Sequence, residues 1–338
     1  MASAATSSAA HSTERKNVNG TVNTVLGPIQ AEQLGVVAVH EALLSVLPGA
    51  QFGYDVTIDR AEVFETLAAS LTAFRAAGGG TVVDSTGMFH GRDLRLYETL
   101  SRATGVHIVA STGLGPEELL GGYFLTPQTN PPTPWPAERF AALFTAEVDD
   151  GMVVPRVERR AAAGLIATVA TRTGATPTDQ SLLRGAARAA RSTGVAVSLR
   201  YGADAEAELG CILAEGLPAE RVVVGGLDRT DAIRSGAPIA VARFGSFVGI
   251  DNVGRNDAEH ITDRERVAIV AELVDAGHAD RILLSSSSIG VAKGIQNDLV
   301  PLGHVLSSFV PALSAHGLDD VTIQRILLDN PRDLLTVR

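Results

Sequence analysis

The chain has a single cysteine, Cys211, so no internal disulfide can form, and one thiol in 338 residues is what a reducing compartment permits. It has no run of about 18 apolar residues, which excludes a membrane-spanning helix. Positive charge is in deficit. Against 38 Asp and Glu stand 28 Lys and Arg, a formal net charge of −10, and this argues against non-specific binding to nucleic acid or an anionic membrane, both of which reward basic patches. The densest basic cluster, Arg156, Arg159 and Arg160, lies among alanines at an expected helix end, where the helix dipole favours cations without any ligand. The first twenty residues lack the apolar stretch of a secretory signal and read as a disordered leader, leaving 21–338 as one expected cytoplasmic domain.

Hydrophobic residues make up 45% of the chain, and 34 glycines with 15 prolines punctuate it, a globular profile with many short connections. Nearly continuous Val/Ile/Leu/Ala runs alternate with segments of helical period, the rhythm of βα units. Eight strands are expected, at 35–40, 81–85, 107–111, 165–170, 196–201, 221–225, 247–251 and 281–285. Helices are expected at 61–77, 94–104, 178–192 and 264–276, several ending at a glycine suited to a left-handed cap, and Cys211 falls in a further helical run, 205–215, as a buried structural residue. Eight strands with eight crossovers in about 300 residues fit an α/β fold of the (β/α)8 TIM-barrel type. Two long connections, 44–59 and the proline-rich 127–136, are expected to cover a pocket at the barrel mouth. The Gly78–Gly80 run falls at the opposite face and is not expected to cradle phosphate.

Several segments resemble the phosphotriesterase family of metal-dependent hydrolases in chain order. They are VNTVLGPIQAEQLGVVAVHEALL, GRDLRLYETLSRATGVHIVASTG, TGATPTDQSLLRGAARAARSTGVAV, EGLPAERVVVGG, FVGIDNVG and the closing RILLDNPRDLL, a likeness covering roughly residues 20–338. The resemblance implies a homodimer, a small-molecule substrate and two divalent metals. These would be held by a His-x-His pair, a carboxylated lysine, two further histidines and an aspartate. This sequence keeps His40 but has Ala42 two residues on; the lysine position falls on Ala167 or Thr168, the histidine positions on Arg200 and Gly226, and the aspartate position on Ser287. A zinc site needs three or four N, O or S donors, so His40 alone cannot assemble the family's centre, and no metal or other cofactor is expected. A rebuilt site would have to draw on Asp84, Asp228 or Asp251.

The replacement of a metal-binding histidine by Arg200 is the most informative departure. A guanidinium restores one fixed positive charge and suits a carboxylate, a phosphate or a developing oxyanion, or else it forms a structural ion pair with a neighbouring aspartate. His40, free of metal, can act as acid or base or can be a hydrogen-bonded core residue. Asp251 matches a substrate-pocket aspartate of the family and would pair with His40 or Arg200. Glu41 should point away from His40 by strand alternation and is read as structural. Tyr201, Ser287, Asp228, His90 and Lys293 are candidate substrate-binding residues, the last two in loops after the second and eighth strands. Three readings follow. One is a metal-independent enzyme acting on a small ester, lactone or related carbonyl compound, with His40, Arg200 and Asp251 catalytic. The others are a catalytically silent binding relative, and a zinc hydrolase with unconventional ligands.

Overall fold

Short apolar runs bounded by turn residues form parallel strands buried on both faces, and in the computed structural model of the chain they close into a (β/α)8 barrel. The structure describes residues 20–338 apart from 49, 51–52, 54–55, 120–134, 155–157 and 296–299. The leader, Arg156 and most of the 127–136 segment therefore lie outside the described residues.

An antiparallel hairpin, β1 (Thr21–Thr24) and β2 (Gly27–Gln30), precedes the barrel. The wall then runs β3 (Val36–Val46), β4 (Gly79–Asp84) and β5 (His107–Thr112). A small antiparallel pair, β6 (Val153–Val154) and β7 (Glu158–Arg159), is inserted before β8 (Leu165–Val169). The wall continues through β9 (Ala196–Arg200), β10 (Val222–Gly225), β11 (Phe247–Ile250) and β12 (Ile282–Leu284). Wall neighbours are parallel and follow chain order. Between them lie helices that include α1 (Arg60–Ala76), α2 (Leu94–Thr104), α3 (Ala137–Asp149), α4 (Pro177–Thr193) and α5 (Ala205–Leu213). Asp59, Asp93, Thr176 and Asp204 cap the starts of α1, α2, α4 and α5 by accepting from backbone N–H groups, and Gly105 and Gly194 close α2 and α4 in the left-handed conformation. Cys211 lies in α5, half-buried against the core.

Three expectations are corrected. The first wall strand continues to Val46, so the connection expected to begin at Leu44 starts later. The eighth strand is in two pieces, β12 and a parallel continuation, β13 (Ile289–Lys293), which pairs with β3 and sets Lys293 opposite Val46. The Ser285–Ser288 run joins the pieces and seals the barrel: His40 N–H donates to Ser285 Oγ at 2.8 Å and Ala42 N–H to the Ser288 carbonyl at 2.8 Å. Finally, Arg159 stands in β7 and not at a helix end, and Arg160 pairs with Glu98 and Glu158.

The barrel interior is layered. Val39, Val83, Val109, Leu165, Val223, Phe247 and Leu283 belong to one buried cluster that plugs the N-terminal half. Two positions further along the strands, where side chains return to the same face, stand small residues: Ser85, Ala167, Ser198, Gly225, Gly249 and Ser285. An apolar plug capped by small side chains leaves a hollow at the C-terminal mouth, the end where barrels of this type carry their sites.

Candidate active site

That hollow is a cavity of about 440 Å3 whose lining includes His40, Glu41, Ser198, Arg200, Asp251 and Arg255, with His90, Thr168 and Ser287 also contributing. His40 stands at its centre. Its Nδ1 lies 2.8 Å from Asp251 Oδ1, an ion-pair contact without the alignment of a hydrogen bond, and its Nε2 makes a short contact with Ser198 Oγ. Asp251 is buried, and its second oxygen accepts from Gly226 N–H at 2.8 Å. Room for this pair comes from glycine. A Cβ on Gly225 would lie 2.5 Å from Asp251 Oδ2 and 3.0 Å from the His40 ring, and one on Gly249 would lie 2.7 Å from Asp251 Oδ2. Gly226 has φ +78°, so it supplies a backbone donor from a conformation that L side chains rarely adopt.

Arg200 ends β9, two residues beyond Ser198 on the same strand face, and is exposed to the cavity. Among the described residues nothing accepts a hydrogen bond from its guanidinium or pairs with it, so of its two readings the structural ion pair finds no partner; Asp251 pairs with His40 instead. The barrel wall pulls the Arg200 pKa down by desolvation, with Asp251 and Asp228 opposing and Arg255 and Arg229 assisting, but a guanidinium stays protonated under such shifts. Arg255 donates to the Ser287 carbonyl at 3.2 Å and leaves its buried Nε without a partner. The cavity therefore holds two guanidinium groups, Arg200 and Arg255, that no carboxylate among the described residues pairs with.

Of the other predicted residues, Ser287 reaches the cavity wall with φ 45°. His90 lines it too, its Nε2–H donating to the Gly115 carbonyl at 3.1 Å while burial lowers its pKa and keeps the ring neutral. Three predicted residues stand elsewhere. Tyr201 turns off the strand, donates to Asp231 at 2.9 Å and lies under the Arg229 guanidinium. Asp228 is fully buried, paired with Arg266 at 2.6 Å and accepting from Asn252 N–H at 2.9 Å, so it anchors the Asp251–Asn252 backbone and cannot reach substrate. Lys293 is the last residue of β13, outside the cavity lining, because the strand expected to end at Ser285 resumes beyond it.

Glu41 was missed as a cavity residue. Glu41 stands two residues beyond the interior Val39, and the pairing of β3 with β4 shifts between Ala38 and Glu41, an irregularity that lets the adjacent His40 and Glu41 both reach the cavity. It accepts from Ser285 Oγ at 2.8 Å and Ser286 N–H at 3.1 Å, and makes a further contact with Ser288 N–H at 2.5 Å. Burial pushes its pKa from 4.5 to about 7, against those donors, which favour the anion. A folded-state pKa above the unfolded value means the folded chain holds the extra proton between the two, so stability is greatest below about pH 4.5 from this group and is lost as pH rises through about 7. The loss amounts to at most about 3 kcal/mol. Thermal melts of wild type and Glu41→Gln between pH 5 and 8 should diverge, the wild type losing more stability as pH rises; parallel curves would refute the shift.

Among the described residues no three His, Cys, Asp or Glu side chains converge to hold a metal ion. His40 and Asp251 are paired with each other, and Arg200 adds a fixed cation to the same cavity. The residues present do not fit a binuclear centre.

A barrel with its cavity at the C-terminal mouth and a single histidine on its first strand defines the class, and the comparisons agree on the family. The phosphotriesterase family model matches residues 20–335, and the chain belongs to that family. It is 29% identical to a phosphotriesterase homology protein of Mycobacterium tuberculosis (strain CDC 1551 / Oshkosh), over 92% of this chain and 96% of the relative. It is 28% identical to the N-acetyltaurine hydrolase of Tetraodon nigroviridis, over 95% of this chain and 99% of the relative. The crystal structure of a mutant PTE-like lactonase from Deinococcus radiodurans superposes with a TM-score of 0.81 at 25% identity, covering 93% of this chain and all of that one. No helix among the described residues is long and apolar enough to cross a membrane.

Proposed function

We propose that the protein is a metal-independent enzyme that opens a small ester, lactone or related carbonyl compound, with His40 as general base and acid, Asp251 as its orienting partner and Arg200 as the cation that stabilises the developing oxyanion. The observation that carries this reading is the coexistence, around one cavity, of a histidine held by a carboxylate and an arginine with no partner among the described residues. A relic that had only to fill space would have no use for a cation that faces the cavity and, among the described residues, pairs with no carboxylate. Hydrolase chemistry is supported by the relatives named as hydrolases and lactonases; the substrate is small because the cavity is. Homodimeric assembly and a cytoplasmic location, implied by the resemblance and the lone thiol, belong to the same reading.

In this mechanism His40 takes a proton from the attacking hydroxyl at Nε2 while Asp251 holds the opposite nitrogen's proton and offsets the charge on the ring. Arg200 meets the negative charge that forms on the carbonyl oxygen. The same imidazolium then returns the proton to the departing oxygen. The test is a panel of small esters and lactones assayed before and after exhaustive dialysis against a chelator. Turnover is expected to survive with substoichiometric metal by mass spectrometry. Activity lost to chelation and restored by zinc would overturn the reading.

A further inference from the structure

The reading above leaves one group in contact with His40 unused. Ser198 lies on β9, one inward-facing position below Arg200, with its Oγ against His40 Nε2. It lines the cavity, although only 3% of its surface is open. Its backbone is held in place by the wall, where its carbonyl accepts from Thr168 Oγ1 at 3.3 Å. Asp251, His40 and Ser198 come from three strands, β11's end, β3 and β9, yet form one continuous line: carboxylate oxygen, Nδ1, Nε2, hydroxyl. That is the arrangement in which an imidazole can raise the nucleophilicity of a hydroxyl, recognised by geometry and role and not by fold or chain order. With Asp251 as the neighbour of Nδ1, a proton carried on that nitrogen leaves Nε2 as the acceptor facing the serine.

Resting on the ester or lactone reading, we propose that Ser198 is the nucleophile and that turnover passes through an acyl-Ser198 intermediate. Ser198 Oγ forms a bond to the carbonyl carbon as its proton passes to His40 Nε2, and the electron pair of the carbonyl rests on an oxygen facing Arg200. Collapse breaks the acyl–oxygen bond, and His40 gives its proton to the leaving alkoxide, which remains tethered if the substrate is a lactone. Water then adds to the acyl group with its proton taken by His40, and Ser198 departs as the leaving group and recovers that proton. Atoms and charge balance with water as the sole co-reactant.

The experiment is to incubate the whole protein with phenylmethanesulfonyl fluoride at neutral pH and map the adduct by peptide mass spectrometry, alongside pre-steady-state release of p-nitrophenol from p-nitrophenyl acetate. The expected result is one sulfonyl group on Ser198 and a burst of nitrophenol stoichiometric with the chain, both missing from Ser198→Ala and from His40→Ala. Wild-type protein left unlabelled, or labelled at another residue, overturns the proposal, and this arm needs no variant to fold. Ester turnover that depends on His40 but shows neither burst nor adduct removes the nucleophile and leaves the general-base reading standing. Labelling of Ser198 in a protein that turns over no ester or lactone keeps the nucleophile and removes that substrate class.

Discussion

Replacing His40 with alanine is expected to lower kcat/KM toward the responsive ester or lactone on the order of 10²–10⁴-fold, the range that a positioned acid–base group supplies. No other imidazole can substitute. His90, the second histidine on the cavity wall, is neutral with its Nε2–H committed to the Gly115 carbonyl. The loss should fall on kcat with KM little changed, because His40 is held by Asp251 and Ser198 and acts on the proton in flight in the transition state, not on the bound substrate. Removing the ring leaves the buried Ser198 Oγ without its partner and the Asp251 carboxylate without its neighbouring ring, at a cost of about 1–3 kcal/mol. Gly226 N–H still holds the other Asp251 oxygen, so the fold should survive. Asp251→Asn tests the orientation separately. An amide accepts less well at Nδ1–H and cannot balance an imidazolium, so kcat should fall in the same direction with the cavity intact. A His40→Ala protein with wild-type kcat/KM and a wild-type melting curve would make the histidine a packing residue and end the acid–base reading.

The barrel was legible because its signal is repeated eight times. Continuous apolar runs with capped helices between them leave few alternatives, and the helix at 94–104 has the same limits in the structure. The inward-facing positions at the strand ends were legible for a related reason: each is set by its place in a strand, and strand alternation is strict where no bulge intervenes. Where it does intervene, the reading fails. Glu41 follows the register shift in β3 and turns into the cavity, a displacement no residue type in AVHEALL announces. Lys293 was misplaced because β12 stops at Leu284 and the wall resumes at Ile289 after four serines, which in sequence look like an ordinary strand-end turn. Ser198 carries no signature at all. It is a serine inside an apolar run, and only the fold shows that β9 and β3 bring it to the histidine. Asp228 and Tyr201 fail in the opposite way, being the right residue types near the mouth but drawn aside by Arg266 and Asp231.

Arg200→Ala is the prediction in which activity and stability should part company. If the guanidinium meets the oxyanion, its removal should lower kcat on the order of 10²–10³-fold, as the loss of a preorganised oxyanion donor does. In the folded protein the same group makes no hydrogen bond or ion pair among the described residues, and Arg255 and Arg229 act on it as like charges. Its desolvation is therefore only partly offset by Asp251 and Asp228, and the alanine variant should melt at the same temperature as wild type or above it. Arg200→Lys should recover part of the rate, since an ammonium supplies the charge without the planar fork. The division between kinetic constants decides the role: a fall in kcat places the cation on the transition state, whereas a rise in KM alone places it on an anionic group of the bound substrate. An Arg200→Ala protein that melts well below wild type and keeps its kcat would mean that the guanidinium serves the fold, and the cavity would then lose the feature that separates an active site from a filled one.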